Sequence, residues 1–192
     1  MNIKGVIKKI NDDYGPLSRP CRQDLLAHME VVELSKKEIL LKQGEQAPTL
    51  YFVVSGGLKG YYIREDIEVV DTVAVENEFV GSFDSFFFGN PSHQYFQAFE
   101  PTILVVMARS KMNILEEQYW EITLLLDKVI KKYLVDYKLK INSLQFEAGK
   151  ERYKNLAATR PDIIDRLPLK DIASYIGVTF ETLSRIRKHY KT

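Results

Sequence analysis

The segment IGVTFETLSRIRK, residues 176–188, carries the side chains with the clearest recognition chemistry in the sequence. Glu181 and Arg185 are four residues apart, so they share one face of a helix. An arginine can bond O6 and N7 of guanine, and a glutamate can accept a hydrogen bond from N4 of cytosine. The other residues predicted on this outward face are Thr179, Phe180, Ser184 and Lys188. The pattern predicts a helix that reads double-stranded DNA in the major groove.

Two short helices joined by a tight turn are predicted to hold that face outward. Ala173 is small enough for the helices to cross closely, and Gly177 can end the first helix because glycine adopts positive φ freely. Thr179 can cap the second helix through its hydroxyl. Leu183 and Ile186 return to the core six and nine residues beyond the glycine, which is the spacing of a helix-turn-helix. A surface helical hairpin with no DNA role is the alternative interpretation.

The charge of the chain is unevenly distributed. Its 192 residues have a net charge of +1, but residues 150–192 contain ten Lys or Arg and five Asp or Glu, a balance of +5. The preceding residues therefore have a balance of −4. A basic segment after an acidic body predicts two domains, the second facing a polyanion.

Residues 36–107 have the pattern of an antiparallel β structure. Short β-branched and aromatic runs such as LYFVVSG and EVVDTVAV alternate with turn clusters such as KQGEQAP and GNPS. No segment of helical length separates them, which predicts a barrel, sandwich or roll. Residues 2–34 predict short amphipathic helices broken at YGPLSRP. The predicted fold is therefore α+β, with a roll domain over residues 1–110.

A long helix is predicted over residues 111–148, ahead of a C-terminal domain over residues 149–192. The segment contains neither proline nor glycine, and apolar residues recur every three to four positions. This seam consists of Ile122, Leu126, Val129, Tyr133, Tyr137, Ile141 and Leu144. It predicts a homodimer in which the helix packs against its twin. Packing along its own domain is the alternative. The following TRPDIIDRLP is predicted to be a linker.

This order of parts resembles the cyclic-AMP receptor protein and fumarate–nitrate regulator (Crp/Fnr) superfamily. IGVTFETLSRIRK is similar to that family's VGCSRETVGRILK type of recognition motif, and LYFVVSGGLKGYY to its first roll hairpin. The resemblance implies a cyclic-nucleotide-binding-like jelly roll, a dimerising helix and a winged-helix-like DNA-binding domain. It also implies base-reading roles for Glu181 and Arg185, and RNA polymerase as a further partner. Ser184 matches the regulator branch, while Phe180 replaces a family arginine and is expected to contact a thymine methyl.

The family's β-hairpin wing is expected to be truncated or absent, since only HYKT follows Lys188. Contacts to DNA phosphates are then expected from the helix region itself. The candidates are Arg160, Arg187, Lys188 and Lys191.

The segment GSFDSFFFGNPSHQYF, residues 81–96, resembles the family's phosphate-binding cassette with its charges removed. Gly81 is kept, but Ser82 stands where the family has the glutamate that holds the ribose. Ser92 and His93 stand where it has an arginine–serine pair. A buried cyclic phosphate without a counter-charge is costly, so cyclic AMP is not the expected effector. The cluster Phe83, Phe86, Phe87 and Phe88 predicts aromatic filling of the roll interior. The roll is then a sensor for another, unidentified small molecule or a fixed scaffold.

Several classes of function are disfavoured by composition. The three histidines, His28, His93 and His189, are scattered through the chain, which argues against a metal-dependent cupin-type enzyme. No nucleophile elbow or glycine-rich nucleotide loop is present. We therefore predict no catalytic residue, no cofactor, no metal site and no membrane segment. With Cys21 as its single cysteine, the chain is expected in the cytoplasm. The alternative function is a cyclic-nucleotide-binding sensor module that acts through a protein partner rather than DNA.

Overall fold

The computed structural model describes residues 3–190, with side chains over residues 5–188. The strands are β1 (Glu30–Leu34), β2 (Ile39–Leu41), β3 (Thr49–Ser55), β4 (Gly57–Arg64), β5 (Ile67–Val75), β6 (Phe79–Val80), β7 (Tyr95–Ala98) and β8 (Thr102–Ala108). The helices are α1 (Ile3–Tyr14), α2 (Arg19–His28), α3 (Phe83–Phe88), α4 (Arg109–Gln118), α5 (Trp120–Phe146), α6 (Gly149–Thr159), α7 (Pro161–Arg166), α8 (Leu169–Tyr175) and α9 (Phe180–Tyr190). No helix within these residues is long and apolar enough to cross a bilayer.

The strands form two antiparallel four-stranded sheets, which confirms the predicted roll. The first sheet has the order β1-β8-β3-β6, and the second has the order β2-β7-β4-β5. Leu58 and Phe96 of the second sheet are buried against Val53 of the first. Phe52, the neighbour of Val53, points to the opposite side, as the two-residue period of a strand requires.

Strand β1 is a correction to the sequence prediction, which placed helices throughout residues 2–34. Residues Glu30–Leu34 instead pair with β8, from Glu30↔Val106 to Leu34↔Thr102. Val31, within this strand, is β-branched and favours an extended backbone. Helices α1 and α2 are confirmed on either side of the YGPLSRP break.

A helical layer covers the outer face of the first sheet. Phe52 and Met107 from the sheet are buried with Ile10 of α1, Leu25 of α2 and Ile122 of α5. Because β3 is thus buried on both faces, its apolar run LYFVV is unbroken rather than alternating.

The helix predicted over residues 111–148 is interrupted at Tyr119, so α4 and α5 are separate helices. Tyr119 has an extended backbone, with φ −135° and ψ 103°. Its hydroxyl donates to Asp24 Oδ2 of α2 at 2.6 Å. This hydrogen bond holds the bend between α4 and α5 against the N-terminal helices.

The first half of α5 packs along its own domain. Ile122, Leu126 and Val129 are buried in the core of the chain, so the predicted dimer seam is wrong over its first two turns. Beyond Val129 no residue of α5 is buried, and Leu134 and Val135 are more than half exposed. The division into three domains stays a prediction, and the surface available to a second copy lies on the C-terminal half of α5.

Candidate nucleic-acid interface

Helices α8 and α9 meet at a tight turn centred on Gly177. This residue has φ +65°, in the left-handed region that glycine adopts without a steric penalty. The Val178 N–H donates to the Ala173 carbonyl at 2.9 Å, which closes the end of α8. Thr179 Oγ1 accepts a hydrogen bond from the Thr182 N–H at 3.2 Å and caps α9. The turn and the cap therefore lie where the sequence predicts them.

The polar face of α9 is open to solvent. Leu183 is buried on the opposite side of the helix and packs in the core that α8 shares. Arg185 Nη2 lies 3.4 Å from Thr182 Oγ1, a local contact that leaves most of the guanidinium donors available. The residues exposed on the face are Thr179, Phe180, Glu181, Ser184, Arg185 and Lys188. All six residues predicted to contact DNA are thus accessible, and the two predicted to read bases, Glu181 and Arg185, are a carboxylate acceptor and a guanidinium donor four residues apart.

The residues predicted to contact phosphate have different environments. Lys188 is exposed and Arg187 is partly exposed, both on α9. Arg160 differs from them, because its Nη2 lies 3.1 Å from Glu78 Oε2 and 3.5 Å from Asp162 Oδ2, so its charge is already paired within the chain. Lys191 lies outside the described residues.

The C-terminal helices are docked on β5, which is an edge strand of the second sheet. Ser174 Oγ of α8 accepts from the Val70 N–H at 2.8 Å and donates to the Glu68 carbonyl at 3.2 Å. Ile172 of α8 is buried in the same cluster as Val73 of β5. One helix thus covers the strand edge that would otherwise offer unpaired backbone groups.

A buried cation strengthens this docking. Lys59 Nζ lies 2.8 Å from Glu68 Oε2 and 3.2 Å from both carboxylate oxygens of Asp171. The Lys59 side chain is only 7% exposed. Burial lowers the pKa of Lys59, but the hydrogen bonds and attraction of Glu68 and Asp171 outweigh that effect and the pKa is raised above 10.5. Lys59 therefore stays charged at neutral pH and ties α8 to the roll.

A second ionic contact involves α7, which occupies residues predicted to be a linker. Arg166 Nη1 lies 2.8 Å from Glu76 Oε2, and its guanidinium also contacts Glu100 and the Gly56 carbonyl. Burial raises the pKa of Glu76, but hydrogen bonds from Arg166 and the backbone lower it further, to below 4.5. The sequence contained a signal for this contact, since residues 150–192 are basic and the preceding residues are acidic. That charge difference was interpreted only as a surface for a polyanion, and the ion pairs between the two regions were missed.

The predicted degenerate cassette surrounds a cavity of about 350 Å³ on the roll. Gly81, Ser82, Ser92 and His93 all line it, so the structure brings the four predicted residues together. Ser82 Oγ accepts from the Ser85 N–H at 3.3 Å and caps α3. Ser92 Oγ donates to the Gln94 carbonyl at 2.8 Å. Both hydroxyls thus serve local structure.

The charges around this cavity do not suit an anion. Its lining within the described chain includes Asp71 and Asp84 but neither lysine nor arginine. His93 is largely exposed, and its Nε2 lies 3.9 Å from Asp84 Oδ2. A cyclic phosphate placed here would face the Asp84 carboxylate and Asp71, whose charge is already paired with Lys140. The cavity wall offers no lysine or arginine among its described residues to balance the phosphate.

The phenylalanines of this segment do not fill the roll interior. Phe86 is buried in the helical layer with Phe52 and the N-terminal helices. Phe83 stacks on Tyr133 of α5 at a ring distance of 4.2 Å. Phe88 is 77% exposed. The prediction of an aromatic plug is wrong, because α3 directs these rings away from the space between the sheets.

A larger cavity of about 570 Å³ lies where the roll, α5 and the C-terminal helices meet. Its wall includes Val73 of β5, Tyr137 and Ser143 of α5, Leu156 of α6 and Ile176 after α8. No sequence motif pointed to it, because its residues come from distant segments. Among residues 3–190, no group of three His, Cys, Asp or Glu side chains is arranged to hold a metal ion.

The family comparison identifies one domain of the chain. Residues 31–119 match the model of the cyclic nucleotide-binding domain, the region that contains the roll and α4. This match is to the domain as a family, and the cassette geometry above concerns the particular residues of this chain.

Solved structures with a similar fold include transcriptional regulators. CLP, a c-di-GMP responsive global regulator of Xanthomonas campestris, is 19% identical with a TM-score of 0.72, over 91% of this chain and 92% of that chain. FixK2 from Bradyrhizobium japonicum is 19% identical with a TM-score of 0.71, over 84% of this chain and 83% of that chain. A CooA mutant from Carboxydothermus hydrogenoformans is 18% identical with a TM-score of 0.69, over 96% of this chain and 84% of that chain. At these identities the likeness is one of fold.

Among curated proteins, the chain is similar to the lysophospholipase NTE1 of Yarrowia lipolytica. The two are 25% identical over 137 residues, which is 69% of this chain and 10% of the lysophospholipase. The chain thus spans a small fraction of that relative, and the likeness does not extend the relative's activity to this chain.

Proposed function

We propose that this chain, whose residues 31–119 form a cyclic nucleotide-binding domain and whose fold is that of Crp/Fnr regulators, is a sequence-specific DNA-binding transcriptional regulator. The observation that carries the proposal is the exposed polar face of α9. Glu181 and Arg185 project from it four residues apart, while Leu183 anchors the helix from behind. These are an acceptor and a donor set with the geometry to read adjacent base pairs.

The proposed regulator is a homodimer that binds palindromic DNA. Leu134, Val135, Leu139 and Phe146 on the C-terminal half of α5 are all more than half exposed. Exposed apolar residues in such number on one helix favour association. Because a two-fold dimer presents two copies of α9, it matches an operator with two symmetric half-sites. In this proposal the protein acts in the cytoplasm and has RNA polymerase as a further partner.

The roll is proposed to respond to something other than cyclic AMP. Ser82, Ser92 and His93 occupy the positions where the resemblance implies a glutamate and an arginine–serine pair. The cavity beside them contains carboxylates and no fixed positive charge from the described residues. The effector is therefore an unidentified small molecule, and no cofactor is proposed.

A second candidate function is a sensor that acts through a protein partner. The observation in its favour is that Arg160 and Arg166 are paired with roll acids, which reduces the positive charge free for a polyanion. The exposed Glu181 and Arg185 favour the DNA proposal, because the two side chains are not engaged with the roll.

The two functions are distinguished by a titration of the purified protein against a fluorescent DNA duplex at several salt concentrations. We expect the logarithm of the DNA association constant to fall linearly with the logarithm of the salt concentration, since contacts to phosphates release counterions. Arg185→Glu should abolish binding, whereas Arg64→Glu, an equal charge change on the exposed tip of the roll, should leave it unchanged. Absence of binding at low salt would refute the DNA proposal and favour the protein-partner candidate.

A further inference from the structure

The cavity at the junction of the roll, α5 and the C-terminal helices is a different space from the cassette cavity. Ser143, Leu156 and Ile176 line only the junction cavity, whereas Ser92 and His93 line only the cassette cavity. The two share one wall, formed by Asp71, Thr72, Phe79, Phe83, Tyr133 and Tyr137. The junction cavity has a volume of about 570 Å³, which is in the usual range for a small-molecule site.

The charged groups in its wall are largely occupied by each other. Lys140 Nζ lies 3.0 Å from Asp71 Oδ1 and 4.4 Å from the centre of the Tyr175 ring. Arg160 pairs with Glu78. A ligand in this cavity therefore meets few free charges of either sign.

The remaining charged residues of the wall are hydrogen-bonded to neutral groups or exposed to solvent. Arg152 Nε donates to the Ile176 carbonyl at 2.6 Å, and Arg152 Nη2 donates to the Gly177 carbonyl at 3.1 Å. Glu147 Oε2 accepts from Asn155 at 3.0 Å and from Ser143 at 2.7 Å. Lys132 and Asp136 stand one turn apart on an exposed stretch of α5, so their charges are solvated at the rim.

The uncharged part of the wall is aromatic and aliphatic. Tyr133 stacks on Tyr137 at a ring distance of 5.8 Å and on Phe83 at 4.2 Å. Phe79 meets Tyr14 edge to face at 4.8 Å. Burial, with the neighbouring Asp71, raises the pKa of Tyr133 to about 12, so its hydroxyl stays a neutral hydrogen-bonding group. An apolar ring prefers surroundings of flat aromatic side chains in which the charged groups are already paired, hydrogen-bonded or solvated.

We propose that the junction cavity binds an uncharged aromatic small molecule, and that this molecule is an effector of DNA binding. An occupant contacts the roll through Val73, α5 through Tyr137 and the C-terminal helices through Leu156 at the same time. It therefore fixes the position of α6 and α8 relative to the roll. The first half of the inference concerns the cavity alone, and the second half rests on the proposed function.

The binding test uses two fluorescent probes that differ by a single sulfonate, N-phenyl-1-naphthylamine and 8-anilino-1-naphthalenesulfonate. Both contain the same pair of aromatic groups, so they separate ring recognition from charge recognition. We expect the uncharged probe to bind with one site per chain, and the sulfonate to bind about tenfold more weakly or worse because burying its charge is costly. Equal binding of the two probes, or no saturable binding of the uncharged one, overturns the proposal.

Two phenylalanine substitutions locate the bound probe. Ser143→Phe places a ring in the junction cavity and should weaken binding about tenfold or more, since it occupies the space of the ligand. His93→Phe places the same ring at the cassette cavity and should leave the affinity unchanged. The reverse pattern assigns the probe to the cassette and overturns the proposal. Hydrogen exchange of the unmodified protein gives the same answer without a variant: the probe should protect residues 71–74 and 152–160, and protection confined to residues 81–96 contradicts the proposal.

The effector half is tested by DNA titration with and without saturating N-phenyl-1-naphthylamine. We expect the DNA affinity to change about fivefold or more in either direction, the range of ordinary coupling between two sites. An unchanged DNA affinity with the probe bound overturns the effector role. Failure of DNA binding in the absence of probe concerns the proposed function only, because probe binding is measured independently.

Discussion

At the scale of single residues, the proposed DNA recognition rests most directly on Arg185 and Glu181. Arg185 and Glu181 are both exposed on α9. Arg185 Nη2 lies 3.4 Å from Thr182 Oγ1, which is a local contact within the helix. A side chain with free donors on the outward face of a recognition helix can specify a base, whereas a lysine nearer the end of the helix more often contacts phosphate.

The first prediction separates these two roles. Arg185→Ala should weaken binding to a selected site by about 1–3 kcal/mol and relax the preference at one base pair. Lys188→Ala should weaken binding to all sequences alike and make the salt dependence less steep. Titrations against a selected and a scrambled duplex measure both effects. Equal losses on the two duplexes for Arg185→Ala would identify that residue as a phosphate contact instead.

The second prediction concerns Ser82, Ser92 and His93. An arginine–phosphate pair contributes two charge-assisted hydrogen bonds, and none of these three residues replaces it. Loss of such a buried pair costs roughly 2–5 kcal/mol, or about 30- to 5,000-fold in affinity. Calorimetry with cyclic AMP and cyclic GMP should show no micromolar binding, and neither nucleotide should change DNA affinity. Micromolar binding by either nucleotide contradicts this, and loss of that binding in His93→Ala would identify His93 as the counter-charge.

At the scale of secondary-structure elements, α5 has two different halves. Ile122, Leu126 and Val129 were predicted to face a second copy, but they are buried in the chain's own core. Periodicity shows that one face of a helix is apolar, but it does not say which surface covers that face. A glutamate at Val129 would therefore unfold the helical layer and would not report on dimerisation.

The third prediction is that Leu134→Glu converts a dimer into a monomer and weakens operator binding. Leu134 is 56% exposed, so the substitution does not disturb the core of one chain. Ile39→Glu, at a 40% exposed position on β2, is the control for adding a charge to an exposed apolar site and should leave the dimer intact. Sedimentation or light scattering at micromolar concentration measures the result. An unmodified protein that is monomeric there contradicts the proposed assembly.

The contact between α8 and β5 is strengthened by a buried ion pair, and its contribution to stability depends on pH. Lys59, buried between Glu68 and Asp171, contributes to folding below its ordinary pKa of 10.5. Because the folded pKa is higher than the unfolded one, this contribution is lost as pH rises through the folded value.

The fourth prediction is that Asp171→Asn lowers the free energy of unfolding by about 1–3 kcal/mol, since it leaves a buried cation with one carboxylate instead of two. Asp127→Asn is the matched control: it removes a carboxylate from an exposed pair with Lys131 on α5 and should cost about 0.5 kcal/mol or less. Urea unfolding of both variants at neutral pH provides the comparison. Equal losses in the two variants would show that the Lys59 contact contributes no more than a surface pair.

The sequence predicted local structure better than it predicted which surfaces meet. Gly177 and Thr179 have distinct local chemistry, so the turn and cap of α8 and α9 could be placed. Residues 30–34 and α7 were missed because their structure depends on partners far away in the chain, β8 and the acids of the roll. The junction cavity could not be predicted for the same reason, since β5, α5 and α6 contribute its wall jointly.

At the scale of the whole molecule, the basic residues of the C-terminal region fall into two groups, those paired with acids of the roll and those exposed on α9. Arg160 and Arg166 neutralise Glu78 and Glu76 within the chain, while Arg185 and Lys188 remain on the exposed side of α9. The C-terminal half of α5 is also exposed to solvent, with Leu134, Val135, Leu139 and Phe146 each more than half exposed. A dimer formed there would carry two base-reading faces related by a two-fold axis.

The most direct test of this account is selection of bound sequences from a pool of random DNA duplexes by the purified protein. The account predicts enrichment of a palindrome whose half-sites each contain a G·C pair, with half-site centres about 10 base pairs apart. It also predicts that Arg185→Ala loses the preference at that pair while its bound sites stay palindromic. A pool without enriched sequences, or an enriched site without two-fold symmetry, would contradict the central claim that a dimer of this chain reads DNA through α9.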